Sequence, residues 1–201
     1  MKKTLRASER DREDVRKARE ERAAMMAALI AQSLVFIDES SAKTNMTRLH
    51  GRAPEGGRAF DSAPHGHWAT RTMIASMRLD GTIAGMCMDS ATDGDAFESF
   101  ARDVLAPTLR PGDAVVLDNL AAHKRPQVAR IIEACGARIM FLPPYSPDLN
   151  PIEKMWGKIK SVIRSLRPRT SEELHAAITC ASSRVTPEDT RAFVESCGYT
   201  I

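Results

Sequence analysis

Two short apolar runs, each closed by an aspartate, constrain this chain more than any other feature. Leu34-Val-Phe-Ile37 ends at Asp38, and Ala114-Val-Val-Leu117 ends at Asp118. A continuous apolar run, as opposed to an alternating one, suits a strand covered on both faces, and the shortness and β-rich content of these runs favour strands over pieces of buried helix. Such strands belong to sheets flanked by helices, where the carboxyl ends of parallel strands form the usual functional edge. If the two strands are neighbours, carboxylates at positions 38 and 118 face one small volume.

The rest of the chain fits around those strands. Arg71–Arg78 and Thr82–Met88 read as strands joined at Asp80-Gly81, a hairpin signal, and complete a meander with the first run. Residues 42–66, with Gly51, Pro54, Gly56, Gly57 and Pro64, read as an irregular, partly exposed excursion. A helix is expected from about Asp95 to Leu105 and another from Arg125 to Cys135, stopped by Gly136 and followed by a strand over Arg138–Leu142. Strand, crossover helix and strand in that order imply parallel pairing. A helix then runs from near Asn150 to about Leu166, another helical region covers Ser171–Ser183, and a short segment begins at Thr186-Pro187-Glu188. At the other end, Ser8 followed by Asp11 resembles a capping box, and pairs such as Glu13 with Lys17 support a lead-in helix to about Ala31. The expected organisation is a helical lead-in over 1–32, an α/β core over 33–168 and a helical extension over 169–201.

Composition narrows the class. The 43% hydrophobic and 27% charged content is that of a soluble globular chain. Cys87, Cys135, Cys180 and Cys197 form no CxxC pair, which argues against a zinc ribbon or redox motif and fits a reducing compartment. The apolar stretch Ala23–Ile37 is interrupted by Gln32 and Ser33, is too short for a membrane span, and has no cleavage-site pattern near it. A cytoplasmic protein with no membrane partner is expected.

The third carboxylate of interest is Glu153. Locally it has an ordinary explanation, because Asn150 can cap the helix, Pro151 can take its first position, and Glu153 can close a capping box. The three acids together are harder to explain that way. Two like charges about 4 Å apart at an effective dielectric of about 20 repel by roughly 4 kcal/mol, and a divalent cation reverses that sign. Magnesium, with manganese as its alternative, prefers such oxygen ligands, and a pair of ions can activate a hydroxyl and stabilise a leaving oxygen in phosphoryl transfer.

The helix after Glu153 adds a basic element. Ile152, Met155, Trp156, Ile159, Val162, Ile163 and Leu166 share one broad face, while Gly157, Lys160 and Arg164 follow Glu153 along its edge. Glycine there weakens a helix, which is intelligible either if a ligand backbone approaches or if the helix packs tightly on the sheet. Lys160 and Arg164 are placed to engage phosphates, with Lys154 and Lys158 on another side; all belong to a run of six basic residues from Lys154 to Arg169 uninterrupted by acid. Asn119 and His123, just after Asp118, are candidates for DNA contact or for support behind the acids. His65 and His67 lack the spaced cysteines of a zinc site, and Tyr145 reads as a seal at the helix entrance or a platform for a base.

The segments LVFIDES (Leu34–Ser40), GRAP (Gly51–Pro54), PHGHWATRT (Pro64–Thr72), VVLDNLAAHK (Val115–Lys124) and LPPYSPDLNPIEKMWGKIK (Leu142–Lys160) resemble the bacterial insertion-sequence transposases of the mariner-like group. The 34 residues between Asp118 and Glu153 match that family's Asp–Asp–Glu spacing. The resemblance implies an RNase H-like fold with a five-stranded mixed sheet flanked by helices, and Asp38, Asp118 and Glu153 as catalytic ligands of Mg2+ or Mn2+, two ions acting together. It further implies cleavage of double-stranded DNA at element ends, then attack of a 3′-hydroxyl on target DNA, commonly at TA. Full-length relatives carry helix-turn-helix regions before this domain, whereas about thirty residues precede the first core strand here. End recognition is therefore expected to reside in a separately encoded partner or a frameshift-joined product, or to have been lost; a homodimer is a further candidate partner, and association with the bacterial nucleoid on DNA is expected. By itself the chain is expected to bind DNA weakly and with little sequence preference. Two other readings compete: an RNase H-like nuclease of another pathway, and a catalytically incompetent DNA-binding remnant.

Overall fold

The computed structural model describes residues 8–27, 31–48 and 50–201. Five strands form one mixed sheet in the order β3-β2-β1-β4-β5. They are β1 (Leu34–Lys43), β2 (Thr70–Arg78), β3 (Ile83–Met88), β4 (Ala114–Leu117) and β5 (Arg138–Phe141). β1, β2 and β3 are an antiparallel meander, and β4 and β5 extend the sheet in parallel. Helices α1 (Glu13–Ala27), α2 (Gly94–Phe100), α3 (Pro126–Ala134), α4 (Ile152–Leu166), α5 (Ser171–Ser182) and α6 (Pro187–Ser196) surround it. This is the mixed, helix-flanked sheet of an RNase H-like fold.

The continuous apolar runs serve two cores at once. Leu34 and Phe36 of β1 and Ala114 and Val116 of β4 enter the cluster beneath α4, α5 and α6, whereas Val35, Ile37, Val115 and Leu117 enter the opposite cluster with Phe97, Phe100, Val128 and Ile132. Period-two alternation therefore fills both faces with apolar side chains. At the far end of β4 the buried Arg78 and Asp113 are ion-paired; Arg78 also donates to the Thr108 carbonyl, and Asp113 accepts from the Arg110 N–H.

Several elements differ from the sequence expectation. The lead-in opens with a 3-10 turn at Ser8–Asp11, and the α-helix begins only at Glu13; Ser8 bonds its neighbour Glu9, so the expected cap is not formed. The expected end at Ala31 falls beyond Ala27, past residues 28–30, which lie outside the description. α2 stops at Phe100 and widens into a π turn over Ala101–Leu105 before Pro107, which has no N–H to continue the ladder. The segment after Thr186 is a complete helix, α6, with a Thr186/Asp189 capping box. The excursion starts at Thr44, after a β1 longer than its apolar run, and residues 50–67 are exposed throughout.

Candidate active site

Register brings the two aspartates together. The parallel ladder of β1 and β4 ends at Phe36↔Val116. Asp38 and Asp118 each lie two positions beyond that rung, so alternation turns both toward the face covered by α4. Glu153 is the second residue of α4 and is exposed, while Ile152, Met155, Trp156, Ile159 and Ile163 hold the helix on the sheet. All three carboxylates line one cleft of about 570 Å³, together with Asn119, Asn150 and the Pro143–Pro147 turn.

The carboxylates of the cleft act on one another. Burial, then the charge of Glu153, push Asp38 up to about 7, with Glu39 and Asp118 adding to the effect against a backbone hydrogen bond. Burial also pushes Asp118 upward, but its hydrogen bonds to His123 and to the Leu120 N–H outweigh this and leave it below its usual value. Both of those bonds fall on Oδ1, at 2.7 Å from His123 Nδ1 and 3.0 Å from the Leu120 nitrogen. Oδ2 of Asp118 is left for other partners.

His123 is fully buried and packs against Phe97, with ring centroids 4.3 Å apart and the planes tilted by 43°. Its Nε2 lies 2.9 Å from Oε1 of Glu39. A ring between two carboxylate oxygens donates to both only as an imidazolium. Burial lowers its pKa, but the bonds to Asp118 and Glu39 overcome that and lift it to about 9. Asn119 lines the cleft and donates from Nδ2 to the Leu142 carbonyl at 2.5 Å, tying the ends of β4 and β5 together. His123 is therefore enclosed behind the acids, whereas Asn119 is exposed at the cleft.

The basic run divides. Lys154 bonds Ser196 Oγ at 2.6 Å, Lys158 pairs with Asp189, Arg167 holds Asp61 through two bonds, and Arg169 donates to the Thr44 carbonyl. Among the described residues, Lys160 and Arg164 make no such bond, and both are half-buried on the strip that starts at Glu153. A Cβ added at Gly157 would meet no atom within 4 Å, so tight packing on the sheet does not explain this glycine.

The expected capping box at Glu153 is not formed, because no side chain caps the start of α4. Asn150 is buried instead, and its Oδ1 has no hydrogen-bond partner. Tyr145 is 48% exposed at the cleft with φ 54°, in the left-handed region. Arg19 of α1 reaches the same turn, bonding Ser146 at 2.6 Å and both carboxylate oxygens of Asp148. Glu39 and Arg19 escaped the sequence reading because their partners lie 84 and 129 positions away.

Among the described residues, no three acid, imidazole or thiol side chains already converge at metal-binding distance. The donor set nevertheless fits a hard cation: three carboxylates, one of them raised in pKa by burial and by its neighbours' charge, and a buried amide oxygen without a donor. The four cysteines are free thiols away from the cleft, and no described helix is long and apolar enough to cross a membrane.

The family model described as "DDE superfamily endonuclease" matches residues 33–175, a span that contains all three acids. No curated protein sequence matches. Among solved structures, the Mos1 transposase paired-end complex with left transposon end aligns with a TM-score of 0.74 at 14% identity, covering 97% of this chain and 62% of that one. The Mos1 strand transfer complex aligns at 0.73 and 16% identity with the same coverage, and the catalytic domain of Mos1 mariner transposase at 0.59 and 13%, each chain fully covered. The likeness is one of fold, and the chain spans about six-tenths of the length of the first two matches.

Proposed function

Because the chain belongs to the DDE superfamily endonuclease family, we propose that it is the catalytic core of a DNA transposase, cutting element ends and joining them to target DNA with Asp38, Asp118 and Glu153 as its metal ligands. The observation that carries this reading is the meeting of those three acids, from β1, the end of β4 and the start of α4, in one cleft. Mg2+ or Mn2+ ions, two during catalysis, supply charge neutralisation and activation of the attacking hydroxyl. Asp38 and Asp118 would hold the cation together with Glu153, Asp118 through the oxygen that His123 does not occupy. Lys160 and Arg164 hold phosphates of the strand beside Glu153, fixing position without reading bases.

Both steps are in-line displacements at phosphorus. In the first, water attacks and the strand breaks to leave a 3′-hydroxyl; in the second, that hydroxyl attacks a target phosphate and the target's 3′-oxygen leaves. No protein nucleophile is consumed. Double-stranded element ends are the proposed substrates, in keeping with the paired-end complex of the structural relative, and a TA-containing target is proposed with them. A helix-turn-helix partner and a homodimer complete the proposed assembly.

The test incubates purified protein with DNA carrying its element ends in Mg2+ or Mn2+, beside Asp118→Asn. End-specific nicking lost in the variant is the expected result. Cleavage confined to RNA–DNA hybrids would replace transposition with a nuclease role, and no cleavage of either would overturn the enzymatic reading.

A further inference from the structure

We propose that Glu39 is a positioning residue for the metal site: acting through His123, it fixes the carboxylate of Asp118 so that one oxygen remains for the cation. This rests on the metal-ligand reading above. β1 sends consecutive acids to opposite faces of the sheet. Asp38 faces the cleft, and Glu39 reaches the other side, where its Oε1 lies 2.9 Å from His123 Nε2. The ring returns through Nδ1 to Asp118 Oδ1 at 2.7 Å. The chain Glu39–His123–Asp118 thus links the strand carrying the first ligand to the second ligand itself.

Two features indicate that this linkage serves the site and is not there for folding alone. Glu39 Oε2 is buried without a partner, a cost to stability that a purely structural ion pair would avoid by full satisfaction. His123 is held by Phe97 against its ring and by acceptors at both nitrogens, and its Nδ1 in turn fixes Asp118 Oδ1. Hydrogen-bonding groups behind a ligand orient it and tune its affinity, and their loss costs roughly 10- to 100-fold in metal binding.

Mn2+ binding to the DNA-free protein, followed by electron paramagnetic resonance, tests this. Glu39→Ala is expected to weaken Mn2+ about tenfold, and Glu39→Gln, which keeps an acceptor for Nε2, to recover most of the loss. In an Asp118→Asn background Glu39→Ala is expected to have no further effect, since its influence passes through Asp118. Additive losses, or wild-type affinity in a folded Glu39→Ala, overturn the proposal. If Glu39→Ala fails to fold, Glu39→Met, which keeps the side-chain bulk but has no acceptor oxygen for Nε2, and its double variant with Asp118→Asn carry the same comparison. Mn2+ binding indifferent to Asp38 and Asp118 would instead sink the metal-ligand reading; binding that needs Asp118 but not Glu39 sinks only this inference.

Discussion

Glu153 and Gly157 stand one turn apart on the exposed side of α4, and the space beside Gly157 is open. Alanine at 157 should therefore gain its helix propensity, up to about 1 kcal/mol, without a clash. Gly157→Ala is expected to raise the thermal midpoint by about 2–4 °C. Gly157→Leu should also fold, yet bind DNA at least about tenfold more weakly if the phosphate backbone passes there, a loss of about 1.4 kcal/mol. Thermal melts and DNA titrations on the same samples read both effects.

The unequal pairing of the basic residues predicts unequal roles. Lys160→Ala and Arg164→Ala should each reduce the slope of log affinity against log salt by about one. Lys158→Ala should leave the slope unchanged, because that ammonium is paired with Asp189. Filter binding across a salt series on random duplex DNA distinguishes them.

The charge balance of the cleft fixes a pH dependence. Asp38 in the fold titrates near 7, against about 3.9 in an unfolded chain. Between those values the folded state holds a proton that the unfolded state has lost, so this contribution is complete below the lower value and vanishes as pH rises through the upper one. His123, lifted from 6.5 to about 9, adds stability that is lost as pH rises through about 9. The metal-free protein should therefore melt at lower temperature at pH 8 than at pH 6.5. Mn2+ should raise the midpoint more at pH 8 than at pH 6, since cation and proton compete for Asp38. An equal Mn2+ shift at both pH values would count against this account.

Away from the cleft, the buried Arg78–Asp113 pair is predicted to matter for folding and not for chemistry. Asp113→Ala leaves a buried guanidinium uncompensated and should cost about 3–5 kcal/mol. Denaturant unfolding measures it, and Mn2+ affinity of the folded fraction should be unaltered.

The parts of this fold that were legible in sequence are those written in local pattern. Continuous apolar runs located β1 and β4 because both faces of the sheet are covered, and Asp80-Gly81 located the hairpin, where Gly81 adopts φ 87°. The apolar face of α4 was largely readable too, although Leu166 is 44% exposed where the helix leaves the sheet. Local pattern misled at Asn150, where the residues of a capping box are present but the loop buries the amide and leaves Glu153 uncapped and open to the cleft. The support behind Asp118 was invisible, because Glu39 looks like an ordinary strand residue until folding brings His123 to it across 84 positions. Arg167 and Arg169 looked equivalent to Lys160 until their partners Asp61 and Thr44 were in place.

Anomalous diffraction from Mn2+-soaked crystals tests the central claim most directly. The account predicts anomalous density within the cleft, ligated by Asp38 and Asp118 with Glu153 adjoining, and its disappearance in Asp118→Asn. Density elsewhere on the molecule with the cleft empty at saturating Mn2+ would contradict it.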